Sequence, residues 1–238
     1  MKNFKFNLSN WVKKSSVKAL VFGFGVLTLS SCLKNDNDNV APNYSALAII
    51  NASPGLQPFD FVIDNQIVNQ GSFDFTERLP YVNIFSGNRR IGIYKDQTAD
   101  SIKTGSILAQ PGKYYSLYVV GQPANLEFLT ITDSVAATTT GKAQIRFLNL
   151  SVNSPSLKLN YGVDSLLINN LAYKNHSNFV EIPGGKRYNF TVKSDDVNGK
   201  TAESNVLIES GRIYTVWASG LYNNTDSLKL GVKIQRNN

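Results

Sequence analysis

The sequence predicts an all-β protein of two tandem β-sandwiches, preceded by a leader and a short tether. Three observations carry that expectation. Short runs rich in Val, Ile, Tyr, Phe and Thr alternate with Gly, Asn, Asp and Pro about every ten residues, and no window sustains a helical period. A turn glycine followed by an aromatic strand occurs twice, about 98 residues apart, which is the size of one sandwich domain. The single cysteine, Cys32, stands between an apolar run and a stretch of Asn and Asp.

Residues 1–31 have the order of a secretory leader. Lys2, Lys5, Lys13, Lys14 and Lys18 come first, then the uncharged run Ala19 to Leu29, then small residues. A run of roughly a dozen apolar residues falls short of the ~20 that span a bilayer, so it reads as a signal peptide and not as a membrane anchor. Leu29-Ser30-Ser31-Cys32 resembles the lipobox of bacterial lipoproteins. That resemblance implies a diacylglycerol thioether on Cys32 and cleavage before it.

Removal of the leader changes the charge. The chain has 24 basic and 17 acidic residues, and five of the lysines but none of the acids precede Cys32, which leaves 19 against 17. No Lys/Arg run survives to argue for nucleic acid. No second thiol is present to form a disulfide. The expected contact with membrane is through acyl chains alone, where several chains are durable and one is marginal.

Residues 32–44 read as a hydrated, lipidated tether, because Asn35-Asp36-Asn37-Asp38-Asn39 and Pro42 cannot bury apolar surface. An acidic segment after a lipidated cysteine resembles a surface-export signal of some Gram-negative bacteria. The expected location is therefore the outer membrane, facing the cell exterior.

Residues 45–133 are expected to form the first sandwich, with strands at Ala46–Ile50, Phe59–Ile63, Val82–Phe85, Arg90–Lys95, Ser106–Ala109, Tyr115–Val120 and Glu127–Thr132. Residues 134–141, with an Ala-Ala-Thr-Thr-Thr run, form the linker, and 142–236 the second sandwich. The repeat is visible in three places. Pro111-Gly112-Lys113-Tyr114-Tyr115 is answered by Ser210-Gly211-Arg212-Ile213-Tyr214, Gly87-Asn88-Arg89 by Gly185-Lys186-Arg187, and the strand ending at Asn51 by Ala143 to Asn149. Each copy is expected to be immunoglobulin-like. Tyr115 and Tyr214 each precede an inward apolar residue by two, a spacing that resembles the tyrosine corner, in which a phenol caps backbone at a sheet corner.

Ala46-Leu47-Ala48-Ile49-Ile50-Asn51-Ala52-Ser53-Pro54, followed by Pro58-Phe59-Asp60-Phe61-Val62-Ile63-Asp64-Asn65, resembles the opening of the bacterial secreted domains grouped as domain of unknown function 4397. The second copy departs from it, since Asn149-Leu150-Ser151-Val152 lacks the Ser-Pro pair. The resemblance implies exported tandem β-sandwiches, often lipid-anchored, and supplies no catalytic residues.

Catalytic and metal signals are weak. The only histidine, His176, sits in a loop-like Lys-Asn-His-Ser-Asn stretch without a second imidazole or a readable triad. Asp60, Asp64, Asp195 and Asp196 stand beside turn residues, where Asp bonds local backbone. Asp195-Asp196-Val197-Asn198-Gly199 lacks the spaced acids and closing Glu of a calcium loop. No enzyme, metal or cofactor is expected.

Two signals remain. Asp-Ser-aliphatic occurs four times, which makes Ser101, Ser134, Ser165 and Ser227 candidates for O-glycosylation, since the triplet resembles the acceptor of a periplasmic glycosylation system. The bland alternative is a turn closed by Asp-Ser. Tyr114, Tyr118 and Trp217 are expected on strand faces turned away from the cores, where flat rings could stack on sugar. The favoured function is a non-catalytic binding or scaffold lipoprotein with an extracellular glycan or protein partner. The alternatives are a pilus or adhesin subunit polymerising by strand addition, weakened because no Arg lies between Cys32 and Arg78, and a hydrolase using scattered acids.

Overall fold

The computed structural model describes residues 43–133, 136–196 and 199–237, and all their regular structure is strand. The leader, Cys32 and Ser134 lie outside them. Eight strands come before residue 134: β1 (Tyr44–Asn51), β2 (Phe59–Ile63), β3 (Gln66–Ile67), β4 (Arg78–Phe85), β5 (Gly87–Lys95), β6 (Ser101–Ala109), β7 (Tyr114–Val120) and β8 (Glu127–Asp133). Eight follow: β9 (Lys142–Asn149), β10 (Leu157–Tyr161), β11 (Ser165–Leu171), β12 (Val180–Pro183), β13 (Lys186–Ser194), β14 (Thr201–Ile208), β15 (Ile213–Ser219) and β16 (Gly231–Arg236).

These strands make four sheets, ordered β4-β1-β7-β8, β3-β2-β5-β6, β12-β9-β15-β16 and β11-β10-β13-β14. The second set reproduces the first strand for strand. In each set the first strand runs parallel to the seventh, with Leu47 opposite Tyr115 and Ile145 opposite Tyr214. The first two sheets close on a core that includes Leu47, Phe59, Phe61, Ile91, Ile93 and Leu117. The last two close on Ile145, Phe147, Leu159, Phe190, Val192 and Val216. Alternation explains the outer strands: β13 buries every second residue from Tyr188 to Ser194 and β14 alternates exposed with half-buried residues, the pattern of a sheet wetted on one face.

The inner strands behave differently. β1 is buried from Ser45 to Asn51, β7 from Tyr115 to Val120, and β15 along its full length. Both faces of these strands are covered. One face lies on its own core, and the other contributes Ala48, Ile50, Tyr118, Val120 and Trp217, with Leu148 of β9 and Leu150 just after it, to a third apolar cluster that joins the two sandwiches.

The turn after the first strand also repeats, although its sequence does not. Asn51 accepts the Ser53 N–H at 3.1 Å, and Asn149 accepts the Ser151 N–H at 3.2 Å. Ser53 Oγ donates to the Gly121 carbonyl at 2.8 Å, and Ser151 Oγ to that of Gly220 at 3.2 Å. Both glycines have positive φ, 92° and 84°. A Cβ on either would lie 2.2 Å from a carbonyl oxygen, of Asn125 or of Lys229, so only glycine fits. The shared element is thus Asn-x-Ser with a distant Gly, and the proline of the first copy is dispensable.

Candidate functional site

The joint between the sandwiches is built around one ion pair. Arg146 on β9 is 2% exposed and Asp133, the last residue of β8, is 6% exposed, and Nη2 of the guanidinium lies 2.5 Å from Oδ1 of the carboxylate. Breaking such a pair leaves an uncompensated buried charge, so the polar groups around it must be complete. They are. Asp133 Oδ2 accepts from Tyr81 Oη at 2.6 Å and Ser116 Oγ at 2.7 Å, while Oδ1 also accepts from Asn237 Nδ2 at 3.4 Å. Arg146 donates to Thr215 Oγ1 at 3.0 Å and to the Thr132 carbonyl at 3.1 Å, and its guanidinium stands 4.9 Å above the Phe179 ring. Burial is the main cause that pushes the Tyr81 phenol well above the usual range, with the Asp133 charge adding to it. Burial likewise raises Tyr118, against the opposing charge of Arg146.

Beside this network runs a groove of about 480 Å³ between two edge strands, β4 and β16. Ile50, Thr76, Arg78, Pro80 and Tyr81 line it from the first sandwich; Trp217, Lys233, Gln235, Arg236 and Asn237 line it from the second, with Ile234. Pro80 and the charges of β16 suit unpaired edges, which they protect from further strand addition. Gln235 Nε2 donates to Tyr118 Oη at 2.8 Å and Asn237 exchanges hydrogen bonds with Thr215, so the floor is held in place. Arg78 lies 5.2 Å over the Tyr81 ring, and its buried Nε–H has no acceptor among the described residues.

The aromatic platform expected from sequence is not there. Tyr118 is 0% and Trp217 2% exposed, meeting edge to face at 6.2 Å inside the joint. Tyr114 is 38% exposed and rests against Tyr81 at 5.4 Å. The face turned away from each core is real, but the other sandwich occupies it, so the rings stack on protein. Tyr115 Oη accepts the Gln110 N–H and Tyr214 Oη the Glu209 N–H, each at 3.1 Å and each five residues upstream.

Ser101 and Ser165 are exposed at strand starts, and Ser227 is exposed in the loop before β16. Asp133, which precedes Ser134, is spent on the ion pair. Asp226 closes a turn on the Leu228 N–H at 2.8 Å, and Lys193 and Asn160 hold the Asp164 carboxyl below its usual range. His176 is exposed with Nδ1 3.1 Å from the Ser177 carbonyl, and no group of three metal-ligating side chains occurs among the described residues. Sequence reasoning passed over Arg146, although a charge inside the apolar strand Ala143–Asn149 signals a partner.

The family model described as Domain of unknown function (DUF4397) matches residues 45–160, which supports that family for the segment from β1 through β10. No curated protein matches the chain.

Proposed function

We propose that the protein is a bacterial outer-membrane lipoprotein, anchored through acyl chains on Cys32 and facing the cell exterior, whose two immunoglobulin-like sandwiches serve as one non-catalytic binding or scaffold module. The observation that carries the reading is the joint. An ion pair with completed hydrogen bonds and a shared apolar cluster fix two domains as one body, with an open groove along their seam. The lipobox and the polar tether supply the anchor.

A polymerising subunit is less well supported, because β1, the strand it would have to give up, lies between β4 and β7 in the middle of its sheet. The three exposed serines, Ser101, Ser165 and Ser227, are open to glycosylation in such a compartment. The test is external proteinase on whole cells carrying the native protein or Cys32→Ala, with a glycan array probed by the native protein. Cleavage without breaking the cells, lost in the variant, supports a surface lipoprotein, and a glycan hit separates binding from scaffolding. Protection until the outer membrane is opened would place it in the periplasm.

A further inference from the structure

We propose that the groove between β4 and β16 binds an anionic group, a carboxylate or a phosphate, borne on an envelope molecule. The inference rests on the binding-module reading but not on the lipid anchor. Three cations line the groove, Arg78, Lys233 and Arg236, and among the described residues no carboxylate does. The acid beneath the floor, Asp133, has its charge matched by Arg146 and both oxygens filled. Glu209 engages Arg236 at 3.1 Å and is shared with Arg212 at 3.7 Å. Among the described residues no carboxylate reaches Arg78 or Lys233 within ion-pair distance, so both charges are free for a ligand.

Arg78 is the more specific of the two. Its guanidinium is steadied over the Tyr81 ring, and its buried Nε–H has no acceptor among the described residues. The planar guanidinium fits the two oxygens of a carboxylate or phosphate through its terminal nitrogens. Lys233, directly across the β15–β16 ladder from Trp217, adds a point charge on the opposite wall. Apolar Ile50 and Trp217 also line the groove, and such low-dielectric walls strengthen the field of both cations. At about 480 Å³ the space suits one small charged unit, such as an acidic sugar ring or a phosphate with its attached carbon.

Trp217 reports on the site. The chain has two tryptophans, so Trp11→Phe makes Trp217 the only one even where the leader is retained. In that background the full chain is titrated with methyl glucuronide, inorganic phosphate and methyl glucoside while tryptophan fluorescence is followed. The expected result is a saturable change with one of the two anions and none with the neutral glucoside, weakened by added salt. Arg78→Gln and Lys233→Gln should each loosen it about tenfold. A response to glucuronide identifies an acidic saccharide, and one to phosphate alone a phosphate-bearing polymer or headgroup. Failure of both anions, an equal response to the glucoside, or unchanged affinity in the exposed variant Lys233→Gln, which touches no core, overturns the proposal. Anion binding with an unacylated Cys32 would sink the anchor and leave the groove; an acylated chain that ignores anions would do the reverse.

Discussion

Arg146 and Asp133 set the cost of separating the two sandwiches. Arg146→Ala leaves a carboxylate buried with its other donors still turned toward it, and should destabilise the protein by about 3–5 kcal/mol, measured as a shift in denaturant midpoint. Loss of well under 1 kcal/mol would mean water replaces the guanidinium. The buried phenols give the pH side of the same joint. Tyr81 and Tyr118 have their ionisation pushed up in the folded state, so their contribution is complete below about pH 10, the ordinary phenol value, and is lost as pH climbs toward the raised ones. An absorbance titration at alkaline pH should therefore show these two ionising only as the protein unfolds, apart from the exposed tyrosines. This pair was only half legible in the sequence. A charge within an apolar strand announced a partner, but which acid 13 residues away served it depended on how two sheets face each other.

At the scale of the strand and its turn, Asn51 and Asn149 hold equivalent corners. Each binds the N–H two residues on and a carbonyl 22 residues away, of Phe73 or Leu171. Substituting either by Ala strands those buried groups and should cost about 1–3 kcal/mol, with amide exchange rising at the affected corner first. Equal costs at the two sites would show that the corner repeats as a unit although the residues after it differ. The strands themselves were readable, since alternation and turn residues mark both sheets of the first sandwich. The two-residue β3 escaped because so short a pairing leaves no period. The face of β7 and β15 was misread for a related reason: alternation says that Tyr118 and Trp217 point away from their own cores, and cannot say whether water or another domain is waiting there.

For the whole molecule, the shared cluster predicts that both sandwiches unfold together. Calorimetry should give one transition, and Trp217→Ala, which empties the centre of the joint at a cost of about 3–5 kcal/mol, should split it into two. Two transitions in the unaltered protein would mean that the joint is weaker than its burial implies. The proposed placement of this pair of sandwiches at the cell envelope rests on the N-terminal residues, where the lipobox-like Leu29-Ser30-Ser31-Cys32 stands. The central claim is therefore tested most directly by the intact mass of the native protein extracted from membranes. The account predicts a chain that begins at Cys32 and carries the added mass of its acyl chains. An unmodified chain that retains residues 1–31, or one cut elsewhere with no lipid, would contradict it.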